Sequence, residues 1–258
     1  MSKYEAKVFK EKREQIKDAV IASYKEHYSL NKVGKVFNIH SKTVARILDE
    51  NNVQYKGRGY ASQKVKENPF DNKSVEDKSY WIGFIAGDGY LSKYKERILI
   101  TSIDYEIVNH FKTFVGEGLS INKLIKNNKP LYVAQFSHLE AKRYLIKRGI
   151  TTSKSRTLRF NVKLNWDIIR GLFDADGSFS QNRLKITTGS ADVIEQLVLF
   201  FKENGIETKI QNKGTYTCYD VYLLGGKSTI EFVYNKFYLH NPTYYLTRKK
   251  EQIRRYIE

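Results

Sequence analysis

The spacing of apolar and polar positions changes along the chain, and each change marks a different kind of element. Between Glu11 and Tyr24, the residues Ile16, Ala19, Val20 and Tyr24 recur at helical spacing. A second helical run begins near Ser29 and carries Leu30, Val33, Val36 and Phe37. Asn38, which tolerates the left-handed conformation, predicts its end. Ser41 stands where an N-cap belongs, ahead of a third helix whose buried face is Val44, Ile47 and Leu48. Residues 51–75 then lose sustained periodicity and hold Gly57, Gly59 and Pro69 among basic residues, which predicts an extended, solvated linker.

Beyond it the chain repeats itself. Trp81-Ile82-Gly83-Phe84-Ile85-Ala86-Gly87-Asp88-Gly89 and Ile169-Arg170-Gly171-Leu172-Phe173-Asp174-Ala175-Asp176-Gly177 align without a gap, their last aspartates 176 − 88 = 88 residues apart. The likeness continues. Arg97–Thr101 and Arg183–Thr187 alternate as strands, helical patterns follow around Ile107–Val115 and Val193–Lys202, and Tyr132–Phe136 and Tyr219–Leu223 alternate again. Self-similarity at this distance means two copies of one structural unit, each read as helix, two strands, helix, two strands, helix. The fold class is α+β: two pseudo-symmetric αββαββα half-domains at 76–160 and 161–258, behind a small helical domain at 1–50 and the linker at 51–75.

The motif has a physical logic. Gly83-xxx-Gly87 and Gly171-xxx-Ala175 place small residues on one helical face, so two such helices can pack backbone against backbone. Gly89 and Gly177 are stop signals at their ends. Asp88 and Asp176 then project together, and two neighbouring carboxylates repel unless a proton or a divalent cation lies between them. Oxygen ligands suit Mg²⁺, with Mn²⁺ as a substitute, and a phosphate can complete the shell. The copies differ at one acidic position, Ala86 against Asp174.

Charge narrows the partner. Of 258 residues, 45 are Lys or Arg against 28 Asp or Glu, a formal net charge of +17 that calls for a polyanion. Residues 1–66 hold 15 basic and 7 acidic side chains. A single cysteine, Cys218, excludes a disulfide framework and a thiolate zinc site, and the five histidines lack ligand spacing. No apolar run approaches a membrane span, and the start has no signal-peptide pattern, so the expectation is an intracellular protein of cytoplasm or nucleoid, or one encoded by a phage, with an organelle left open.

The paired motifs with their strands resemble the LAGLIDADG homing endonucleases in the single-chain, two-motif form, over residues 70–258. The segment SLNKVGKVFNIHSKTVARIL resembles a helix-turn-helix of the resolvase or homeodomain-like kind. The first resemblance implies a monomeric, site-specific DNA endonuclease whose two sheets form a saddle on double-stranded DNA. It implies a metal site at Asp88 and Asp176, with Gly87 and Ala175 beside them, and one basic residue per half near the scissile phosphates, here Lys154 and Lys249. It also implies one cut per strand across the minor groove, leaving short 3′ overhangs.

Candidate DNA contacts are Lys93, Lys95, Arg97, Gln135 and Ser137 on the first sheet. On the second they are Gln181, Arg183, Lys185, Thr187, Lys209, Gln211 and Lys213, with Leu184, Ile186 and Ile210 facing inward. In the helix-turn-helix they are Ser41, Lys42, Thr43 and Arg46, the exposed positions of its third helix. Lys56 and Arg58, between slim glycines, suit a minor groove. Neither an intein's terminal nucleophile nor its His-Asn ending is present, which favours a free-standing or intron-encoded enzyme. A group I intron maturase acting on RNA and a non-cleaving transcription regulator remain the alternatives.

Overall fold

Three helices form the N-terminal unit of the computed structural model, which describes residues 3–27, 29–53, 63–116, 118–212 and 218–258. Helix α1 spans Lys3–His27, α2 Leu30–Val36 and α3 Ser41–Glu50. Val20, Tyr24, Leu30, Val33, Val44, Ile47 and Leu48 form their core. Helix α1 starts eight residues before the expected Glu11, because Lys, Glu and Ala upstream are good helix formers even without an apolar stripe.

Ser29 caps α2, its Oγ accepting from the Lys32 amide at 3.3 Å. Asn38 is left-handed, with φ +48°. The Ile39 amide reaches back to the Gly34 carbonyl at 2.8 Å and the Asn38 amide to Lys35 at 3.3 Å, the paired bonds of a Schellman ending. The expected cap of α3 is corrected: His40, not Ser41, holds that position, its Nδ1 accepting from the Lys42 amide at 3.1 Å. Ser41 is the first helical residue and is only 8% exposed, so it leaves the accessible face. The turn folds back so tightly that a Cβ on Gly34 would stand 2.7 Å from the Ile39 carbonyl oxygen and 3.4 Å from the Ser41 amide.

The second unit runs from Ser62 to Glu258. It opens with β1 (Gln63–Lys64), then α4 (Val75–Asp88), β2 (Gly89–Leu91), β3 (Arg97–Ser102), α5 (Tyr105–Val115), β4 (Ile121–Lys126), β5 (Lys129–Ser137) and α6 (Leu139–Lys147). A four-residue helix, α7 (Lys154–Thr157), leads to α8 (Trp166–Asp176), β6 (Gly177–Ser180), β7 (Arg183–Thr188), α9 (Ala191–Glu203), β8 (Thr208–Asn212), β9 (Tyr219–Leu223), α10 (Gly226–Tyr238) and α11 (Thr247–Ile257). The antiparallel sheets share one order, β2-β3-β5-β4 and β6-β7-β9-β8. Equivalent pairs register alike, Gly89 opposite Ile100 and Gly177 opposite Ile186. Ile98, Ile100, Leu184 and Ile186 point into one core shared by both halves.

Three expectations for this unit need correction. The stretch assigned to a linker joins the body before residue 75: β1 adds parallel to the end of β5, pairing Gln63 with Phe136. Phe70 is 2% exposed and stacks on Tyr144 at 4.5 Å between ring centres. An Asx turn delivers it, the Phe70 amide donating to Asn68 Oδ1 at 3.2 Å. Second, β8 does not alternate. As the outer strand of its sheet it is exposed along Lys209–Asn212, and Ile210 is 49% exposed instead of facing inward. Third, Gln135 is not on an open face: it lies in the run Val133–Phe136 of β5, buried throughout, and is only 5% exposed. Lys56, Arg58 and Lys213 lie outside the described residues.

Candidate active site

The centre is built on the seam between α4 and α8. Each helix begins at a side-chain cap: Ser74 Oγ accepts from the Asp77 amide at 3.0 Å, and Asn165 Oδ1 from the Ile168 amide at 2.9 Å. Asn165 also donates to Ser79 Oγ at 3.0 Å, tying the start of α8 to α4. Along the seam the backbones touch reciprocally. A Cβ on Gly83 would collide with the Ile168 carbonyl oxygen and one on Gly171 with that of Tyr80. A Cβ on Gly87 would collide with Ala175 and stand 2.8 Å from Asp176 Oδ2. The small-residue face is therefore the interface, as the spacing requires.

The glycines ending both helices act for a reason other than the expected one. Gly89 and Gly177 are extended, with φ −78° and −88°, and lead directly into β2 and β6. What excludes a side chain is space: a Cβ would sit 2.7 Å from the Ile85 carbonyl oxygen or 2.6 Å from that of Phe173.

Asp88 and Asp176 are the last residues of the paired helices, and both keep a solvent-facing side. The surrounding helix ends desolvate the carboxyl groups. This pushes Asp88 up to about 6, with the Asp176 charge adding to the effect. Burial raises Asp176 too, opposed by the ammonium groups of Lys154 and Lys249. Both lysines turn toward the helix ends. Lys154 Nζ donates to the Ala86 carbonyl at 2.7 Å and also to that of Gly87. Lys249, 4% exposed, donates to the carbonyls of Phe173, Asp174 and Gly177 at 2.6, 2.8 and 2.7 Å. Terminal carbonyls lack intrahelical donors and carry the negative end of the helix dipole, so an ammonium belongs there. Burial lowers Lys154 and brings Lys249 down to about 8.

The donor set fits a hard divalent cation. Two carboxylates with raised affinity for positive charge share the ends of one seam. Among the described residues no three His, Cys, Asp or Glu side chains converge, so water, backbone or phosphate oxygens would complete a shell. Gly87 and Ala175 lie beside the aspartates in this seam.

Two buried charges escaped the sequence reading. Asp174 accepts from the Tyr80 hydroxyl at 2.8 Å and the Leu246 amide at 2.9 Å, and burial pushes it up to about 6. Its signal was the mismatch with Ala86. Arg170, 2% exposed, donates to the Tyr244 and Phe237 carbonyls at 3.2 and 3.1 Å and to Asp167 at 2.9 Å. An arginine inside an apolar helical run was its signal.

On the sheets, Arg183, Lys209 and Gln211 are exposed, and Arg97 and Ser137 are half-buried. Lys93, Lys95 and Gln181 are exposed too, but in the β2–β3 and β6–β7 turns and not on the strands. The Arg97 guanidinium lies 6.0 Å from the centre of the Tyr90 ring. Lys185 and Thr187 are engaged by Asp220, at 2.7 Å and 2.6 Å. That carboxylate is 1% exposed although it shares the open face, opposite Thr187 in the ladder. On α3, Lys42 and Arg46 are exposed and Thr43 is half-buried.

Interlocked motif helices that end on paired aspartates, over two equivalent antiparallel sheets, define the fold of the LAGLIDADG homing endonucleases. Residues 166–258 match the family model of the LAGLIDADG-like domain, so the second half is such a domain. The homing endonuclease I-WcaI, solved bound to its DNA recognition sequence, is 15% identical with a TM-score of 0.55, covering 76% of this chain and 95% of that one. I-DmoI, solved in complex with DNA and Mn, is 18% identical with a TM-score of 0.47, covering 63% of this chain and 96% of that one. The replication factor C small subunit of Methanocaldococcus jannaschii (strain ATCC 43067 / DSM 2661 / JAL-1 / JCM 10045 / NBRC 100440) is 25% identical over 149 residues, or 54% of this chain; the match spans 8% of that protein's length. No described helix is long and apolar enough to cross a membrane.

Proposed function

We propose that the chain is a metal-dependent, site-specific endonuclease that hydrolyses one phosphodiester in each strand of double-stranded DNA. The observation carrying this reading is the pair Asp88 and Asp176 at the ends of interlocked helices, each helix end holding its own lysine. Asp88 and Asp176 would hold Mg²⁺ or Mn²⁺, beside Gly87 and Ala175. When bound, the metal supplies Lewis-acid polarisation of a scissile phosphate. The chain's own part is to place charge. The helix seam fixes both carboxylates, and Lys154 and Lys249 stand where negative charge grows on a phosphate under attack.

The exposed Lys93, Lys95, Arg183, Lys209 and Gln211 provide contacts to backbone and base edges, and I-WcaI of the same fold is bound to its own DNA site. Lys42, Thr43 and Arg46 of α3 add contacts to flanking sequence. The equivalent sheet positions differ, Leu99 against Lys185 and Val133 against Asp220, so the target is asymmetric. With both motifs in one chain, the working unit is a monomer.

The test is cleavage of a randomised duplex library by wild type and by Asp88→Asn with Asp176→Asn, in Mg²⁺ and in Ca²⁺. Mg²⁺-dependent cuts at one asymmetric site, lost in the double variant while binding persists, are expected. Selective binding without a cut in Mg²⁺ or Mn²⁺ would sink the reading in favour of a regulator, or of a maturase if folded RNA competes.

A further inference from the structure

Asp174 stands where the first half has Ala86, and neither metal binding nor DNA contact accounts for it. Its carboxylate is buried and joins three elements. It sits on α8, takes the Tyr80 hydroxyl of α4, and takes the amide of Leu246, the residue that caps α11. Lys249 follows Leu246 by three residues and reaches back beneath the same helix end to the carbonyls of Phe173, Asp174 and Gly177. The Lys249 amide itself bonds the Leu246 carbonyl at 3.0 Å, so the capping turn and the ammonium move together. Arg248 and Thr247 add exposed bonds to Asp104 and Glu106 at the start of α5, on the other side of this turn.

The first half is built otherwise. Ala86 offers no acceptor side chain, and Lys154, half-buried, opens the four-residue helix α7 and holds the Ala86 and Gly87 carbonyls. The strap after α7 is held from α9: Gln196 bonds the backbone of Phe160 at 2.9 and 2.8 Å, and the Ser190 hydroxyl bonds the Leu158 carbonyl at 2.5 Å. Two lysines of one proposed role are thus seated by unrelated means.

We infer that Asp174 is a positioning residue for one half of the centre: through Tyr80 and Leu246 it docks the start of α11, so that the ammonium charge of Lys249, its three donors held by carbonyls, is fixed beneath the Asp176 end of the seam and acts on one scissile phosphate through its field, while the Lys154 half works without it. This inference rests on the endonuclease reading. It follows that loosening Asp174 unbalances the two strand cuts. A merely destabilised protein would lose both cuts together.

The experiment has two arms, on the full chain and on Asp174→Asn, with Tyr80→Phe as the milder variant should the first fail to fold. Amide exchange over residues 245–250, without metal or DNA, is expected to quicken about tenfold or more in the variants, since a buried bond to a carboxylate is lost. Exchange over 153–158 should stay as in wild type. The second arm times the cuts in a target duplex labelled separately on each strand. One strand should slow at least about tenfold, so that nicked duplex accumulates, while the other strand and DNA affinity stay within about twofold. Equal slowing of both strands, or unchanged exchange over 245–250, overturns the inference. If wild type cuts neither strand, the endonuclease reading fails instead, and the exchange arm decides the docking by itself.

Discussion

The two ends of the helix seam do the same work with different materials. At the α8 end a buried lysine, a buried carboxylate and a tyrosine from the opposite helix lock together, and Lys249 has three carbonyl partners. At the α4 end a half-buried lysine meets two carbonyls beside an alanine. The repeat preserves what geometry demands, namely small residues at the crossing and an aspartate at the tip. How each lysine is held in place is left to the surroundings of each copy.

The largest effect that could break this comparison comes from the tips themselves. Asp88→Asn and Asp176→Asn are each expected to cut the rate of cleavage by more than the roughly hundredfold typical of residues outside a metal's direct ligands. Rates on both strands, measured for each single variant, show whether the tips act as one centre or as two. Next come the seam glycines. Gly83→Ala and Gly171→Ala each force a methyl into opposing backbone, and should cost about 3 kcal/mol or more, read as a fall in thermal midpoint. The contacts are reciprocal, so the two losses should be similar; a silent Gly171→Ala would break the symmetry.

Acidity sharpens the contrast further. The carboxyl groups of Asp88 and Asp174, both raised to about 6, bind more protons in the folded than in the unfolded chain between pH 4 and 6. Without metal, their contribution to stability is therefore largest at about pH 4 and is lost as pH rises through 6. Asp174→Asn should flatten that slope in chemical denaturation. In the proposed metal role of Asp88, binding is expected to run the other way, weakening as pH falls through about 6, because that carboxyl group would have to be ionised to hold the ion.

The smallest effect lies in the hairpins. The β4–β5 turn of the first half runs through Asn127-Asn128 and the β6–β7 turn of the second through Gln181-Asn182, two non-equivalent hairpins whose four turn residues are all left-handed. Glutamine gains less than asparagine from local hydrogen bonding in that conformation, so Gln181→Gly should stabilise by roughly 0.5–1 kcal/mol and Asn127→Gly by less. Denaturation midpoints of the two variants decide it.

Much of this was readable from spacing. Small residues every fourth position on two aligned helices predicted the seam, and period-two runs predicted β3, β7, β5 and β9, because these patterns report local geometry. What stayed hidden depends on distant partners. Phe70 sits in a polar stretch, and only the pocket between Phe114 and Tyr144 makes it core. Gln135 follows the alternation of an open face, yet the run Val133–Phe136 is buried on both faces of β5. His40 took the cap from Ser41 because the turn against Gly34 buries the serine. Asp220 read as one more strand residue, and its burial arises only when Lys185 and Thr187 close over it.

The tight crossing also sets an order of events during synthesis. Gly83 leaves the ribosome 171 − 83 = 88 residues before the glycine it must meet. Closing so long a loop costs about 4 kcal/mol of chain entropy, so the first sheet can assemble on local contacts well before the crossing forms. Until α8 emerges, the notched face of α4 has no mate within its own chain, and another nascent copy offers the same notch. Slow translation between residues 90 and 165 would therefore favour exchange of halves between neighbouring chains.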